Sequence, residues 1–441
     1  VIRRSALRYA GFQNENLYKG PDGEDHDLWL RIGPLGEMWL MPLPLMIYRD
    51  LSTKHAAPPG TAMERRKEAY RTRFKIYQSA LNSVGEMPSP LQFPEYALHE
   101  RLCRSARDFY AAGPRILGRL RHTIASKTIR LFHLPPNKQK QREKAIQTFL
   151  ECKAGWEKLK NHSTVECIIF SKDRALQLHG LLSTLREKVA PVVPVHVLYS
   201  SSSPSHQKAY EDVVAIFDQE NIRFIHQQNE FSFKYDLLEI LTSLNCDLLF
   251  FLVDDILFTE PVDLRNIVKF DPDEFVVSLR MGQNLSRCYV LQKPQALPDF
   301  QDFPDGASDK IVWRWQEGEL DWSYPLSVDG HFFARREMTA MALLLSFSAP
   351  NSFEDQLQIF KPFFINRRGV GYQKSRIVNI PCNRVQTERK NLSGNLHPDE
   401  LLEQWQKGYQ MDYKKFYGLV NESVHQELAL ALIPRKTFEA K

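Results

Sequence analysis

A chain of 441 residues with 43% hydrophobic and 25% charged side chains exceeds one ordinary core and implies more than one domain. No apolar run approaches the roughly 20 residues needed to span a bilayer, so a polytopic membrane protein is excluded. The net charge of +5 is mild but uneven: residues 101 to 142 carry eleven Arg or Lys against one acid, Asp108.

Three regions follow one another. Residues 1–55 are compact and motif-bearing, 56–160 are basic and helical in pattern, and 161–436 alternate strand-like with helix-like runs. The opening at Val1, with no charged-then-apolar leader, reads as a fragment or processed product. Six scattered cysteines without a CxxC pair fit a reduced, cytoplasmic compartment and neither a zinc site nor a disulfide framework. In the middle region ERRKEAYRTRFKIYQSAL (64 to 81) reads as a charged helix ended by PSPLQFP (88 to 94). Stretch 111 to 134 sets Ile116, Leu120, Ile124 and Phe132 among basic residues, a pattern that suits either an anionic membrane surface at the inner face or a solvated linker helix. Nucleic acid is not expected as a partner, because no recognition motif accompanies these charges.

The large region opens with VECIIFSKDRALQLHGLL (165 to 182), a strand, a polar turn and helical spacing. VVPVHVLYSSSS (192 to 203) is a second strand ending in a Ser-rich turn, and a helix is expected around 206 to 219. IRFIHQ (222 to 227) follows as a third strand and YDLLEILTSL (235 to 244) as a third helix. Next comes LLFFLVDDILF (248 to 258), whose apolar run reads as a buried parallel strand. The alternation predicts an α/β domain with a mostly parallel sheet flanked by helices, with ligands at the carboxyl ends of the strands. Both SKDR and the Asp254–Asp255 pair fall at those ends. Adjacent carboxylates repel and lose hydration near a core, which a divalent cation would relieve; one Asp capping the next element is the bland alternative.

This constellation resembles the GT-A glycosyltransferases, whose Rossmann-like domain uses a nucleotide sugar. In that family the first strand and its loop hold the nucleotide, here VECIIF with Ser171, Asp173 and Arg174, and a later hydrophobic strand ends in an Asp metal motif, here VDD with Asp254 and Asp255. Val253 stands where many members carry a first Asp, which leaves the role of Asp254 less defined than that of Asp255. The family's acidic motif corresponds to FED (353 to 355) in SAPNSFEDQL, and its late metal-binding His to His397 in SGNLHPDEL. The resemblance implies Mn2+ or Mg2+ on Asp255, Asp254 and His397, and a UDP- or GDP-sugar donor. It implies Asp355 as general base, with Glu354 and Asp329 as substitutes, and inversion at the anomeric carbon. It also places Asp329, Gly330 and His331 beside the sugar phosphate and acceptor, where Gly330 would let backbone approach the ligand; a plain Asp-Gly turn is the alternative. Trp313, Trp315, Trp322 and Tyr324 just upstream could stack on sugar rings or belong to the core. Arg174, Lys234 and Lys374 are candidates for the diphosphate charge.

The segment RRSALRYAGFQNENLYKGPDGEDHDLWLRI (3 to 32), with LPLMIYRD (43 to 50), is similar to the closing third of a family 2 glycosyltransferase. That resemblance implies a base at Asp25, a donor-site His at His55, and a first catalytic domain cut short. The whole then reads as a metal-dependent glycosyltransferase acting on a glycan, lipid-linked or protein acceptor, its complete domain at 161–436. A non-catalytic glycan-binding or scaffold protein and a sugar-phosphate nucleotidyltransferase are the rivals. The second would need a Gly-rich phosphate loop after the first strand, and SKDRALQL contains no Gly.

Overall fold

The computed structural model describes residues 138–156, 163–218, 220–227, 232–301, 309–383 and 397–435. The expectations for Asp25, His55, the helix at 64–81 and the basic stretch through 137 lie outside the described residues.

Helix α1 (Lys138–Ala154) precedes strand β1 (Val165–Lys172), helix α2 (Ala175–Lys188), β2 (Val195–Ser200), α3 (Pro204–Ile216), β3 (Ile222–His226), α4 (Phe233–Ser243) and β4 (Leu248–Val253). These runs form strands and helices for the reasons their composition gives. VECIIFSK and LLFFLV are buried along almost their whole length, as parallel strands covered on both faces must be. Helix α3 begins at Ser203, whose hydroxyl accepts the His206 N–H, with Pro204 in the first turn.

Strand β8 (Phe332–Ala334) completes the main sheet, after β5 (Ile256–Phe258), β6 (Phe275–Gly282) and β7 (Lys310–Arg314). The order across the sheet is β8-β4-β1-β2-β3, with β8 alone antiparallel. Strand order therefore runs outward from β1 to β2 and β3 on one side, then jumps to β4 on the other. Such a reversal opens a crevice between the carboxyl ends of β1 and β4. Helix α5 (Arg335–Leu344) and helix α6 (Pro350–Leu357) follow, then β9 (Arg368–Tyr372) and β10 (Ile377–Asn379). Strands β7, β9 and β6 make a second sheet, while β10 pairs with β5 directly after the Asp pair. Helix α7 (Pro398–Gln406) lies against α2 and α3. The mixed α/β architecture with a central parallel sheet between helices is the one the alternation predicts.

Gly330 knits the two sheets. Its N–H donates to the Phe251 carbonyl at 2.7 Å, its carbonyl accepts from the Leu279 N–H at 2.9 Å, and its φ of +76° is one an L side chain rarely adopts. A Cβ there would lie 2.5 Å from the Ile377 Cδ1. The close approach that Gly330 permits is thus to the protein's own core rather than to a ligand.

The tryptophans belong to the core too. Trp313, Trp315 and Trp322 are each 0% exposed, and Trp313 lies so flat on β9 that a Cβ on Gly369 would be 2.3 Å from its ring. His331 sits with them, 1% exposed, its Nδ1 3.0 Å from the Pro325 carbonyl and its ring 5.5 Å from that of Trp315. Burial, helped by Arg280, pushes its pKa down to about 3, so it is a neutral core residue rather than a ligand-facing one. The described cysteines, 152, 167, 246, 288 and 382, are free thiols, all buried. Among the described residues no helix is long and apolar enough to cross a membrane.

Candidate active site

The apolar run of β4 ends at Val253, and the chain delivers Asp254 and Asp255 into the crevice. Asp254 is 3% exposed and held by three donors. One carboxylate oxygen accepts the Ser171 hydroxyl at 2.8 Å and the Lys172 N–H at 3.1 Å, and the other accepts Arg174 Nη1 at 2.9 Å. The same Nη1 reaches an Asp255 oxygen at 3.1 Å, so one guanidinium spans the pair. Arg174 is held from behind. Its backbone N–H donates to the Tyr210 hydroxyl, which lies 2.6 Å from the Ser171 oxygen, and its Nη2 donates to the Asn383 carbonyl.

Asp255 also accepts Asn379 Nδ2 at 3.3 Å. Asn379 leads to a second acidic group. Asp329 accepts Arg280 Nη1 at 3.1 Å, and Arg280 also donates to the Ser327 hydroxyl and lies 3.8 Å from Asp321. Glu354 accepts from the Tyr324 hydroxyl at 3.0 Å and the Val328 N–H at 2.9 Å. Burial, only partly offset by Arg174, pushes the Asp255 pKa up to about 7, with Asp254 and Asp329 adding repulsion. Burial raises Asp329 to about 7 as well, against Arg280 and with Glu354 opposing its ionisation. The acids here outnumber the guanidiniums.

The arrangement brings together Ser171, Arg174, Asp254, Asp255, Asp329 and Glu354, and leaves other expected residues elsewhere. Helix α6 turns about 100° per residue. Its Phe353 is buried against Phe251 and Phe347, so Glu354 faces the cluster and Asp355, a further step on, is exposed. Of the two acids in FED it is Glu354, not Asp355, that joins the acidic network. His397 is not brought to the Asp pair; it caps α7, accepting the Asp399 N–H at 3.2 Å, with its side chain 67% exposed. Lys234 donates to the Leu345 carbonyl at 2.6 Å, closing the end of α5, and Lys374 binds Glu260 and the Gly418 carbonyl. Asp173 shapes the loop after β1: at φ +53°, a conformation Asp tolerates better than most residues, it accepts the Ser202 N–H at 2.7 Å.

Three site residues carry no obvious sequence signal. Arg280 lies in the middle of β6 among apolar neighbours, and Asn379 ends an apolar strand. His425 is brought in where Asn379 bonds backbone on either side of it, through the Val424 carbonyl and the Gln426 N–H. Its Nε2 stands 3.7 Å from Asp329, and burial, with Arg280, lowers its pKa to about 3.

The donor set fits a hard divalent cation. Asp254 and Asp255 offer carboxylate oxygens, the Asn379 Oδ1 is buried without a hydrogen-bond partner, and the surplus of acid is what a cation would offset. Among the described residues no group of three or more His, Cys, Asp or Glu is arranged to hold a metal. Magnesium-type sites commonly use only one or two carboxylates together with substrate phosphates.

No protein-family model matches the chain, and no curated protein sequence does. Solved structures show distant likeness. The S. aureus TarS 1-349 structure shares 15% identity over 50% of this chain and 61% of its own length, with a TM-score of 0.33. The mannosyltransferase PcManGT from Pyrobaculum calidifontis, solved with GDP-Man and Mn2+, shares 14% over 33% of this chain and 46% of its own, at 0.24. A 4-diphosphocytidyl-2C-methyl-D-erythritol synthase from Anaerococcus prevotii shares 13% over 49% of this chain and 92% of its own, at 0.31. At such scores the likeness decides nothing about activity, which has to be argued from the site.

Proposed function

We propose that the chain is a nucleotide-sugar-dependent glycosyltransferase of the GT-A type, moving a sugar from a UDP- or GDP-linked donor to a glycan, lipid-linked or protein acceptor with inversion. The observation that carries this is the position of the Asp254–Asp255 pair, spanned by Arg174, at the carboxyl end of β4 where strand order reverses, with Asp329 and Glu354 on the same side.

Glu354 acts as the base. The Tyr324 hydroxyl and Val328 N–H fix its carboxylate, which takes the proton of the acceptor hydroxyl as that oxygen attacks the anomeric carbon and the bond to the diphosphate breaks. Arg280 holds Asp329 beside it, and Arg174 provides positive charge at the departing diphosphate. Mn2+ or Mg2+, held by Asp254 and Asp255 with Asn379, would supply Lewis-acid stabilisation of that leaving group. Residues 1–55 as part of a second, family 2-like unit, a peripheral contact of 101–142 with an anionic membrane surface, and a cytoplasmic location complete the proposal.

The rivals gain less support. A glycan-binding module would need accessible aromatic faces, and Trp313, Trp315 and Trp322 are enclosed. Calorimetry with UDP and GDP, with and without Mn2+, tests the reading, followed by a donor-hydrolysis screen comparing wild type with Glu354→Gln. Binding of one nucleotide together with turnover lost in Glu354→Gln is expected. Absence of binding by any nucleotide would return the chain to the non-catalytic class.

A further inference from the structure

We propose that Arg174 is an exchangeable counter-ion: it occupies the Asp254–Asp255 pair when no donor is bound and yields that place to a divalent cation when the donor's diphosphate arrives. The inference rests on the donor-site reading above and adds to it a competition built into the loop after β1. One Nη1 lies 2.9 Å from Asp254 and 3.1 Å from Asp255, where a cation shared by the two carboxylates would also have to bind. The two compete for one place, because a guanidinium N–H and a divalent cation set between the same two carboxylates would lie within a few ångströms of each other and repel as like charges.

The surroundings show that Arg174 is replaceable where Asp254 is not. Asp254 keeps the Ser171 and Lys172 donors whatever Arg174 does, and Asp255 keeps Asn379. The Arg174 backbone is anchored separately, through its N–H to Tyr210, so the guanidinium can pivot about its Nη2 bond to the Asn383 carbonyl without moving the loop. Its Nε is buried with no partner, leaving a donor free for a phosphate oxygen. A planar, multidentate guanidinium suits both partners, carboxylate before and phosphate after, which a lysine would serve less well.

The consequence is that the protein alone binds cations poorly and binds them well with nucleotide. The test measures Mn2+ alone, through the electron paramagnetic resonance of the free aquo ion, with the full chain as wild type, Arg174→Ala, Arg174→Gln and Arg174→Lys. Arg174→Ala and Arg174→Gln are expected to bind Mn2+ about tenfold tighter or more than wild type, with Arg174→Lys in between. Mn2+ should also raise the melting temperature of Arg174→Ala and Arg174→Gln more than that of wild type, since a ligand stabilises whatever binds it more tightly. Two variants guard against one failing to fold. If both folded variants bind Mn2+ no tighter than wild type while wild type binds UDP or GDP with Mn2+, the exchange is wrong and the donor site stands. If no variant binds Mn2+ and wild type binds neither nucleotide, the donor-site reading and the exchange fall together.

Discussion

Two ionic clusters, each with a buried centre, are balanced differently. In one, Glu337 on α5 takes both Arg367 nitrogens at 2.7 and 3.0 Å and Lys153 at 2.5 Å, and Lys153 also meets Asp273 at 2.5 Å. Among the described residues acid and base match there, and Arg367 and Glu337 are almost completely enclosed. In the other, Asp254 and Asp255 share Arg174, Asp321 and Asp329 share Arg280, and Glu354 lies beside them on the Tyr324 hydroxyl and the Val328 N–H. The matched cluster holds α1, α5 and the segment before β9 together. In the unmatched one burial, with the neighbouring carboxylates adding to it, pushes Asp255 and Asp329 both up to about 7, so a cationic or proton-donating ligand would stabilise it.

The contrast can be broken by mutation. Glu354→Gln should lower sugar transfer roughly 100- to 10,000-fold, the usual contribution of a positioned base, with the melting temperature and nucleotide affinity little changed. Asp355→Asn, one residue along and facing solvent, serves as the control; a collapse of turnover in that variant instead would reverse the assignment within FED. Arg367→Ala should do the opposite, costing about 3–5 kcal/mol of stability in urea unfolding by leaving Glu337 short of its bidentate partner, with turnover per folded molecule unchanged.

His179 sharpens the comparison from a site with no counter-charge at all. It packs between Phe217 and Trp405, and burial, with Arg435 and Arg186, depresses its pKa to about 4. The unfolded chain therefore binds the extra proton first as pH falls below the ordinary histidine value near 6.5. Stability is present above that value and is lost toward the folded one, on the order of 2 kcal/mol between pH 7 and pH 5 from this group. His179→Phe should flatten that decline in a pH series of thermal unfolding, and an unchanged slope would show that other groups set it. The smallest effect belongs to His397→Ala, about 1 kcal/mol from the lost cap of α7, with Mn2+-dependent nucleotide affinity intact. A loss of that affinity would bring His397 back to the metal.

Much of the sheet was legible because buried parallel strands are written as continuous apolar runs. VECIIF and LLFFLV each fall within a strand, VVPVHVLYSSSS and IRFIHQ each contain one, and YDLLEILTSL overlaps α4 within two residues at its start. The end of β4 was legible for the same reason: two carboxylates directly after such a run have nowhere to go but the crevice. What the residues could not show was direction. Whether Glu354 or Asp355 turns inward depends on where Phe353 packs, and whether the tryptophans meet sugar or core depends on the glycines of β9. Arg174 could be seen as a cation near the nucleotide but not as the partner of residues eighty positions away. His425 is carried in by backbone bonds to Asn379, a contact that leaves no pattern in SVHQEL.

That last contact bears on how the protein is made. On a ribosome the sheet from β1 to β10 has emerged before Val424 and Gln426 can bond Asn379 and set His425 beside Asp329. A nascent chain stalled at Cys382 would possess every carboxylate of the site and still lack the strand-edge clasp that closes it. The order of synthesis thus delays completion of the acidic crevice until the sheet around it exists.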